Sequence, residues 1–143
     1  MTAAERLERL VDVFAAAPPE VRVQALLDYS RRLPDLPDRL AERPELLEKV
    51  PECRTPFALV VEPDDGVVRL HFQVPAESPT VRGFAGILHE ALDGSPPSEI
   101  LAVPNDFYQR MGLDEVISGQ RLRGMDAILF RLKRRVAELG EAA

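Results

Sequence analysis

At 143 residues the chain reads as one domain over 1–143, long enough to bury about 70% of its unfolded surface without metal or disulfide. Its hydrophobic (45%) and charged (29%) fractions are ordinary for a globular protein, and a net charge of -6 argues against a general nucleic-acid binder, which needs a basic face to displace counterions from phosphates. A single cysteine forms no internal disulfide and implies no oxidising compartment.

The opening MTAAERLERL carries acid early and lacks the apolar run of a signal peptide, so a cytoplasmic location is expected. Leu7, Leu10, Val11 and Phe14 fall at i, i+3, i+4 and i+7 and predict an amphipathic helix. Pro18 and Pro19 end it and open a second helix, with Val23, Leu26, Leu27 and Leu33 on one face. RLPDLPDRLAERP is a connector stiffened by Pro34, Pro37 and Pro44, and ELLEKV is at most a short helix.

VPECRTPF follows, and the period changes. Phe57, Leu59 and Val61 alternate with Ala58 and Val60, Asp65-Gly66 signals a tight turn, and VVRLHFQV returns with Val68, Leu70, Phe72 and Val74 on one face. The longest apolar run, FALVV, is far too short to span a bilayer, so no membrane segment is expected. Ser78-Pro79 reads as an N-cap with proline at the first helical position, ahead of a buried stripe of Val81, Phe84, Ala85, Leu88 and Leu92 that Gly94 stops. Short helices are predicted around Ser98–Leu101 and Asp106–Met111. Ser118 then caps a last helix with Leu122, Met125, Leu129, Leu132 and Val136 inward. Arg131, Lys133, Arg134 and Arg135 in its final turns suit the negative end of the helix dipole and a solvated face. Together these elements predict an α+β fold, a small antiparallel sheet with a hairpin core and helices on one face. Cys53 falls where the N-terminal helices pass into the first strand.

Few constellations here carry chemistry. His71, His89 and Cys53 are too few and too far apart to predict a metal site, and Gly83 and Gly86 are explained by close helix packing rather than a phosphate cradle. A cysteine hydrolase needs a histidine beside Cys53, and the sequence places none there. Arg121 stands out, because a cation in the first turn of a helix opposes the dipole. Free cysteine is usually a small buried hydrophobe, and an inert role stays open on residue type alone. The surroundings of Cys53 point elsewhere: Pro51 and Pro56 disfavour helix, and Glu52 and Arg54 are residue types rarely buried. Glu52 disfavours a thiolate and Arg54 favours it, so the adjacent charges do not decide reactivity. A lone loop-borne thiol is suited to attacking the outer sulfur of a persulfide, since the product needs no second cysteine.

Three stretches in order, ELLEKVPECRTPF, ESPTVRGFAGILHEALDGSPPSEIL and ISGQRLRGMDAILFRLKR, resemble the SufE family of sulfur-acceptor proteins. The resemblance covers the chain from about the second helix onward. Cys53 matches the cysteine of the family's V-P-x-C loop. Glu77, Ser78, Arg82, Gly83 and Phe84 match an acidic-Ser pair opening a helix with a basic-Gly-hydrophobic step. Ser118, Arg121 and Gly124 match a Ser-x-x-Arg-x-x-Gly opening of the last helix. The chain departs from the family in Glu52 for a frequent glycine, in Arg54-Thr55 for Gln-Ser, and in Glu77-Ser78-Pro79 for Asp-Ser-Asp. Glycine flexes more freely than glutamate, so the first departure bears on loop movement and on the choice of desulfurase.

The resemblance implies a fold like that of IscU-type scaffolds, without their cluster-ligating cysteines. It also implies a non-enzymatic sulfur carrier. Such a protein accepts sulfane sulfur at Cys53 from a PLP-dependent, SufS-type cysteine desulfurase, stimulates that enzyme and delivers sulfur to an iron–sulfur scaffold complex. PLP then belongs to the partner and this chain needs no cofactor. In the family the cysteine loop tucks its thiol against an apolar pocket and swings out on docking. Arg121 is the candidate support for the thiolate, the persulfide or the loop, and Glu52, Arg54, Glu77, Ser78 and Arg82 are candidates for partner binding. An adaptor that regulates a desulfurase without carrying sulfur and a cysteine hydrolase are the alternatives, and a homodimer is left open.

Overall fold

In the computed structural model, which describes residues 1–142, the first helix is capped by Thr2. Its hydroxyl accepts the Glu5 amide at 3.1 Å while the Glu5 carboxylate accepts the Thr2 amide, a reciprocal cap for helix α1 (Ala3–Ala16). Helix α1 buries Ala3, Leu7, Val11 and Phe14, close to the predicted stripe, with Leu10 half-buried.

Helix α2 (Pro19–Arg32) keeps Leu26 and, just past its end, Leu33 of the predicted face buried and Leu27 half-buried, but the inward face is rotated away from Val23. Arg22, Leu26, Tyr29 and Ser30 are buried while Val23 is exposed. The reason is the C-terminus of α1, where only the Ala17 amide reaches back, to the Phe14 carbonyl, and acceptor capacity is left over. Arg22 fills it: Nε donates to the Phe14 carbonyl at 2.9 Å and Nη2 to that of Ala15 at 3.1 Å, while Nη1 meets Glu115 at 2.5 Å. With its donors matched, the guanidinium is tolerated where an unpaired charge would not be.

The connector holds a short helix, α3 (Asp38–Ala41), and a 3-10 turn at Pro44–Leu46. Strand β1 (Glu48–Lys49) follows, so the second half of ELLEKV is extended rather than helical. Strands β2 (Ala58–Asp64) and β3 (Val67–Gln73) form the predicted hairpin, in register from Ala58 opposite Gln73 to Asp64 opposite Val67. Asp65 (φ 51°) and Gly66 (φ 88°) both take positive φ, the two-residue turn whose twist matches that of the strands. Strand β1 adds antiparallel to β2, giving the order β1-β2-β3. Pro63 falls beyond the end of β1, on a free edge where its missing N–H costs no ladder bond.

Leu59, Val68, Leu70 and Phe72 point into the core, and Arg39, Glu62 and His71 form an ionic cluster on the opposite face. The far edge of β3 is closed by the turn after α4, where the Val68 amide donates to the Ser95 carbonyl at 2.9 Å and the Leu70 amide to the Asp93 carboxylate at 2.7 Å.

Helix α4 (Pro79–Leu92) buries the predicted stripe of Val81, Phe84, Ala85, Leu88 and Leu92. Gly83 and Gly86 let its backbone lie directly on α2, because a Cβ on either would run into the carbonyl of Leu26 or Tyr29. Helices α5 (Pro97–Leu101) and α6 (Phe107–Arg110) occupy the predicted short segments. Helix α7 (Gly119–Ala142) buries Met125, Leu129, Leu132 and Val136, along with Ile128. Helices and sheet share one buried cluster, the predicted α+β class. Among the described residues no helix is long and apolar enough to cross a membrane.

Gly83→Ala is expected to destabilise the fold by about 1–3 kcal/mol despite the better helix propensity of alanine, because the obstructing atoms are backbone. Urea unfolding followed by circular dichroism checks this.

Candidate functional site

VPECRTPF is the loop of a second hairpin, between β1 and β2, rather than a passage from helices into the first strand. The Val50 amide donates to the Phe57 carbonyl at 2.9 Å and closes its base, and both side chains are buried as posts. The Cys53 amide donates to the Val50 carbonyl at 3.1 Å, making Val50–Cys53 a β-turn with Pro51 at its favoured second position.

The turn drives Cys53 inward, contrary to the exposed thiol that its polar neighbours predict. The residue is 9% exposed and belongs to the core cluster. Its Sγ packs on Gly124 of α7, 3.3 Å from where a Cβ would stand. A Cβ there would crowd the thiol, and the glycine leaves it room. Burial pushes the Cys53 thiol above its ordinary range, and a hydrogen bond from the Thr55 amide pulls weakly the other way. The resting thiol is therefore protonated and shielded.

Cys53 lies beside an open cleft of about 580 Å³ between three elements. The loop contributes Arg54, Thr55 and Pro56, the start of α4 contributes Ser78 and Val81, and the start of α7 contributes Ser118, Gln120 and Arg121. Arg54 and Arg121 are cations at its wall, and among the described residues no carboxylate lines it. Arg121 Nη1 donates to the Thr80 hydroxyl at 3.2 Å and so ties the first turns of α7 and α4 together across the cleft. That contact accounts for a cation at a helix N-terminus, and Thr80 is a member of the site that the sequence pattern did not single out.

The other candidates separate. Ser78 occupies the cap position of α4 with Pro79 behind it, but its side chain makes no capping bond. Glu77 is exposed outside the cleft. Arg82 is half-buried and turned away, donating to the carbonyls of Ser30 at 3.0 Å, Val74 at 2.8 Å and Leu33 at 3.3 Å. Glu52 points to α7, where Arg131 grips it through Nε at 3.0 Å and Nη2 at 2.5 Å. Neither histidine lines the cleft: His71 meets Glu62 at 2.9 Å and His89 lies 3.8 Å from Asp93. Cys53 thus has no base of the kind a cysteine hydrolase needs, and the described residues gather no group of three or more metal-binding side chains.

The basic run of α7 does not end the helix, and although Arg134 and Arg135 stay about half exposed they are paired rather than free. The helix continues to Ala142, and Arg131, Arg134 and Arg135 converge on Glu48 of β1. Burial on its own would raise the Glu48 carboxyl, but bonds from Arg131 and Arg135 and the charge of Arg134 outweigh it and hold the group below the ordinary range.

Residues 8–136 match the family SufE, an Fe-S metabolism associated domain. The chain belongs to the SufE family. An uncharacterized SufE-like protein of Mycobacterium tuberculosis is 49% identical over 133 residues, covering 92% of each chain. The cysteine desulfuration protein SufE of Plasmodium vivax is 25% identical over 132 residues, 90% of this chain and 51% of that protein. The solution structure of a hypothetical protein from Thermus thermophilus superposes with a TM-score of 0.83 at 40% identity, covering 96% of this chain and 97% of that one. SufE membership places the chain in iron–sulfur metabolism.

Two outcomes are expected for this SufE site. Alkylation of Cys53 by iodoacetamide should show a pH midpoint above that of the same chain in denaturing urea, because burial opposes the thiolate. Intact mass against time at a series of pH values measures it. Glu48→Gln should cost about 1–3 kcal/mol at neutral pH. The Glu48 carboxyl titrates lower in the folded chain than its ordinary 4.5, so its contribution is present above that value and fades as pH falls through the folded one. The gap between the variant and the parent in urea unfolding should close accordingly in acid.

Proposed function

We propose that the chain is a sulfur carrier that accepts sulfane sulfur at Cys53 from a PLP-dependent, SufS-type cysteine desulfurase, stimulates that enzyme and delivers the sulfur to an iron–sulfur scaffold. The observation that carries this reading is the lone thiol of the chain on a hairpin tip, beside a cleft with cations and, among the described residues, no carboxylate in its wall. Membership of the SufE family supports the same reading.

Transfer begins with the loop open. Cys53 loses its proton, and its thiolate attacks the outer sulfur of the partner's persulfide. The S–S bond of that persulfide breaks, the partner's cysteine leaves as a thiolate and takes up a proton, and the product is a persulfide on Cys53. One S–S bond replaces another, so no oxidant or reductant is consumed. Arg121 and Arg54 stabilise the thiolate once it reaches the cleft, and the Cys53 loop and the start of α4 with Glu77 and Ser78 form the docking face. PLP acts in the partner alone.

Mixing the chain with a cysteine desulfurase of the same genome, PLP and free cysteine is expected to add one sulfur atom to the intact mass. The addition should be removed by reductant and absent in Cys53→Ser. A Cys53→Ser chain that stimulates the desulfurase as well as the parent, with no sulfur gained by either, would leave an adaptor in its place.

A further inference from the structure

Cys53 lines the cleft but is only 9% exposed, so movement of its loop governs how far another protein's sulfur can reach the thiol. What holds the loop down is therefore what decides how often the thiol is available. The bond between Val50 and Phe57 and the turn bond between Cys53 and Val50 lie within the hairpin and can travel with it. Packing of Sγ on Gly124 is apolar and short in range. Among the described residues, the side-chain hydrogen bonds from residues 51–56 to another element are those of Glu52 to Arg131.

We propose that the Glu52–Arg131 pair is a latch on the Cys53 loop, and that Glu52 and Arg131 are positioning residues that set how often the thiol emerges. The pair is a two-bond fork, the geometry in which arginine holds a carboxylate best. Arg131 cannot follow the loop outward, because its Nη1 also holds Glu48 at 3.1 Å. Glu52 can leave, since its side chain is 47% exposed and within reach of solvent ions or a partner's charges. Its position next to Cys53 means that the loop tip cannot lift while the fork is made. A glycine at this position, having no side chain, would make no such tie. The consequence for sulfur transfer rests on the carrier reading; the latch itself does not.

The test is alkylation of Cys53 in the full chain by iodoacetamide, a neutral probe, at the high-pH plateau where the thiol is fully ionised. Measuring at the plateau separates loop opening from any change in thiol acidity caused by removing a nearby negative charge. Glu52→Gln is expected to raise the plateau rate about two- to fivefold, the range that a partly exposed ion pair supports. Sodium chloride should speed the parent and leave Glu52→Gln unchanged. Glu8→Gln, which makes the same charge change at the remote pair with Arg110, should keep the parent rate. An unchanged plateau in Glu52→Gln, or the same acceleration in Glu8→Gln, overturns the latch. A chain that accelerates as expected but gains no sulfur from a desulfurase keeps the latch and loses the carrier reading. A chain that gains sulfur but does not accelerate does the reverse.

Discussion

A carboxylate on a strand of two residues holds the site together. Glu48 has a side chain 9% exposed, and three guanidinium groups of α7, from Arg131, Arg134 and Arg135, close around it. Two backbone pairs would not keep β1 on the edge of β2 by themselves. The cluster does so by fastening the strand to the long helix whose start also lines the cleft. A carboxylate in that position loses hydration, and bonds from several arginines offset the loss, Arg131 and Arg134 on one oxygen and Arg135 on the other. The hairpin loop then inherits two fixed ends, β1 on α7 and β2 in the sheet, and the depth of Cys53 follows from where α7 puts Gly124.

Arginine does related work elsewhere in the chain. Arg22 satisfies the last carbonyls of α1, and Arg82 those of Ser30 and Leu33 at the end of α2. Arg6 donates to the Ala91 carbonyl at the end of α4 at 2.9 Å. Each helix end exposes carbonyls and a partial negative charge, and each is met by a cation from a neighbouring helix. Among the described residues no buried side-chain nitrogen or oxygen lacks a partner. Arg82, with its guanidinium committed to backbone carbonyls, bears on the placement of α4, whose first turn borders the cleft.

The parts of the fold legible in the sequence are those set by local periodicity. The Asp65-Gly66 turn, the alternation from Val68 to Val74 and the stripes of α1, α4 and α7 needed no knowledge of distant contacts. The parts that were not legible depend on residues far along the chain. The inward face of α2 is decided by Arg22 answering the end of α1, which hydropathy ranks in the wrong direction. Strand β1 is too short to show a period, and its reason for being extended lies on α7. Cys53 is polar in its neighbours yet buried, because the space it fills is made by a glycine on the last helix. The cysteine itself, Arg121 and Gly124 were visible as a pattern, but the contact between Cys53 and Gly124 was visible only in three dimensions.

Burial of the thiol sets two requirements against each other. A sulfur acceptor must present a thiolate, yet here desolvation favours the protonated form and the loop hides it. If the thiolate were stabilised permanently, any small persulfide or oxidant could react with it. Making exposure rare confers selectivity: a ligand that meets a protein whose competent state is only fractionally populated sees its affinity reduced by that fraction, unless it binds the open state preferentially. A desulfurase that gains contacts with the open loop and the start of α4 recovers that loss, whereas a small molecule does not. Under the carrier reading the cations at the cleft matter in the open state alone, where Arg54 and Arg121 would favour the thiolate that burial suppresses in the closed one. Under the carrier reading, specificity therefore resides in the opening of the loop more than in the intrinsic acidity of Cys53.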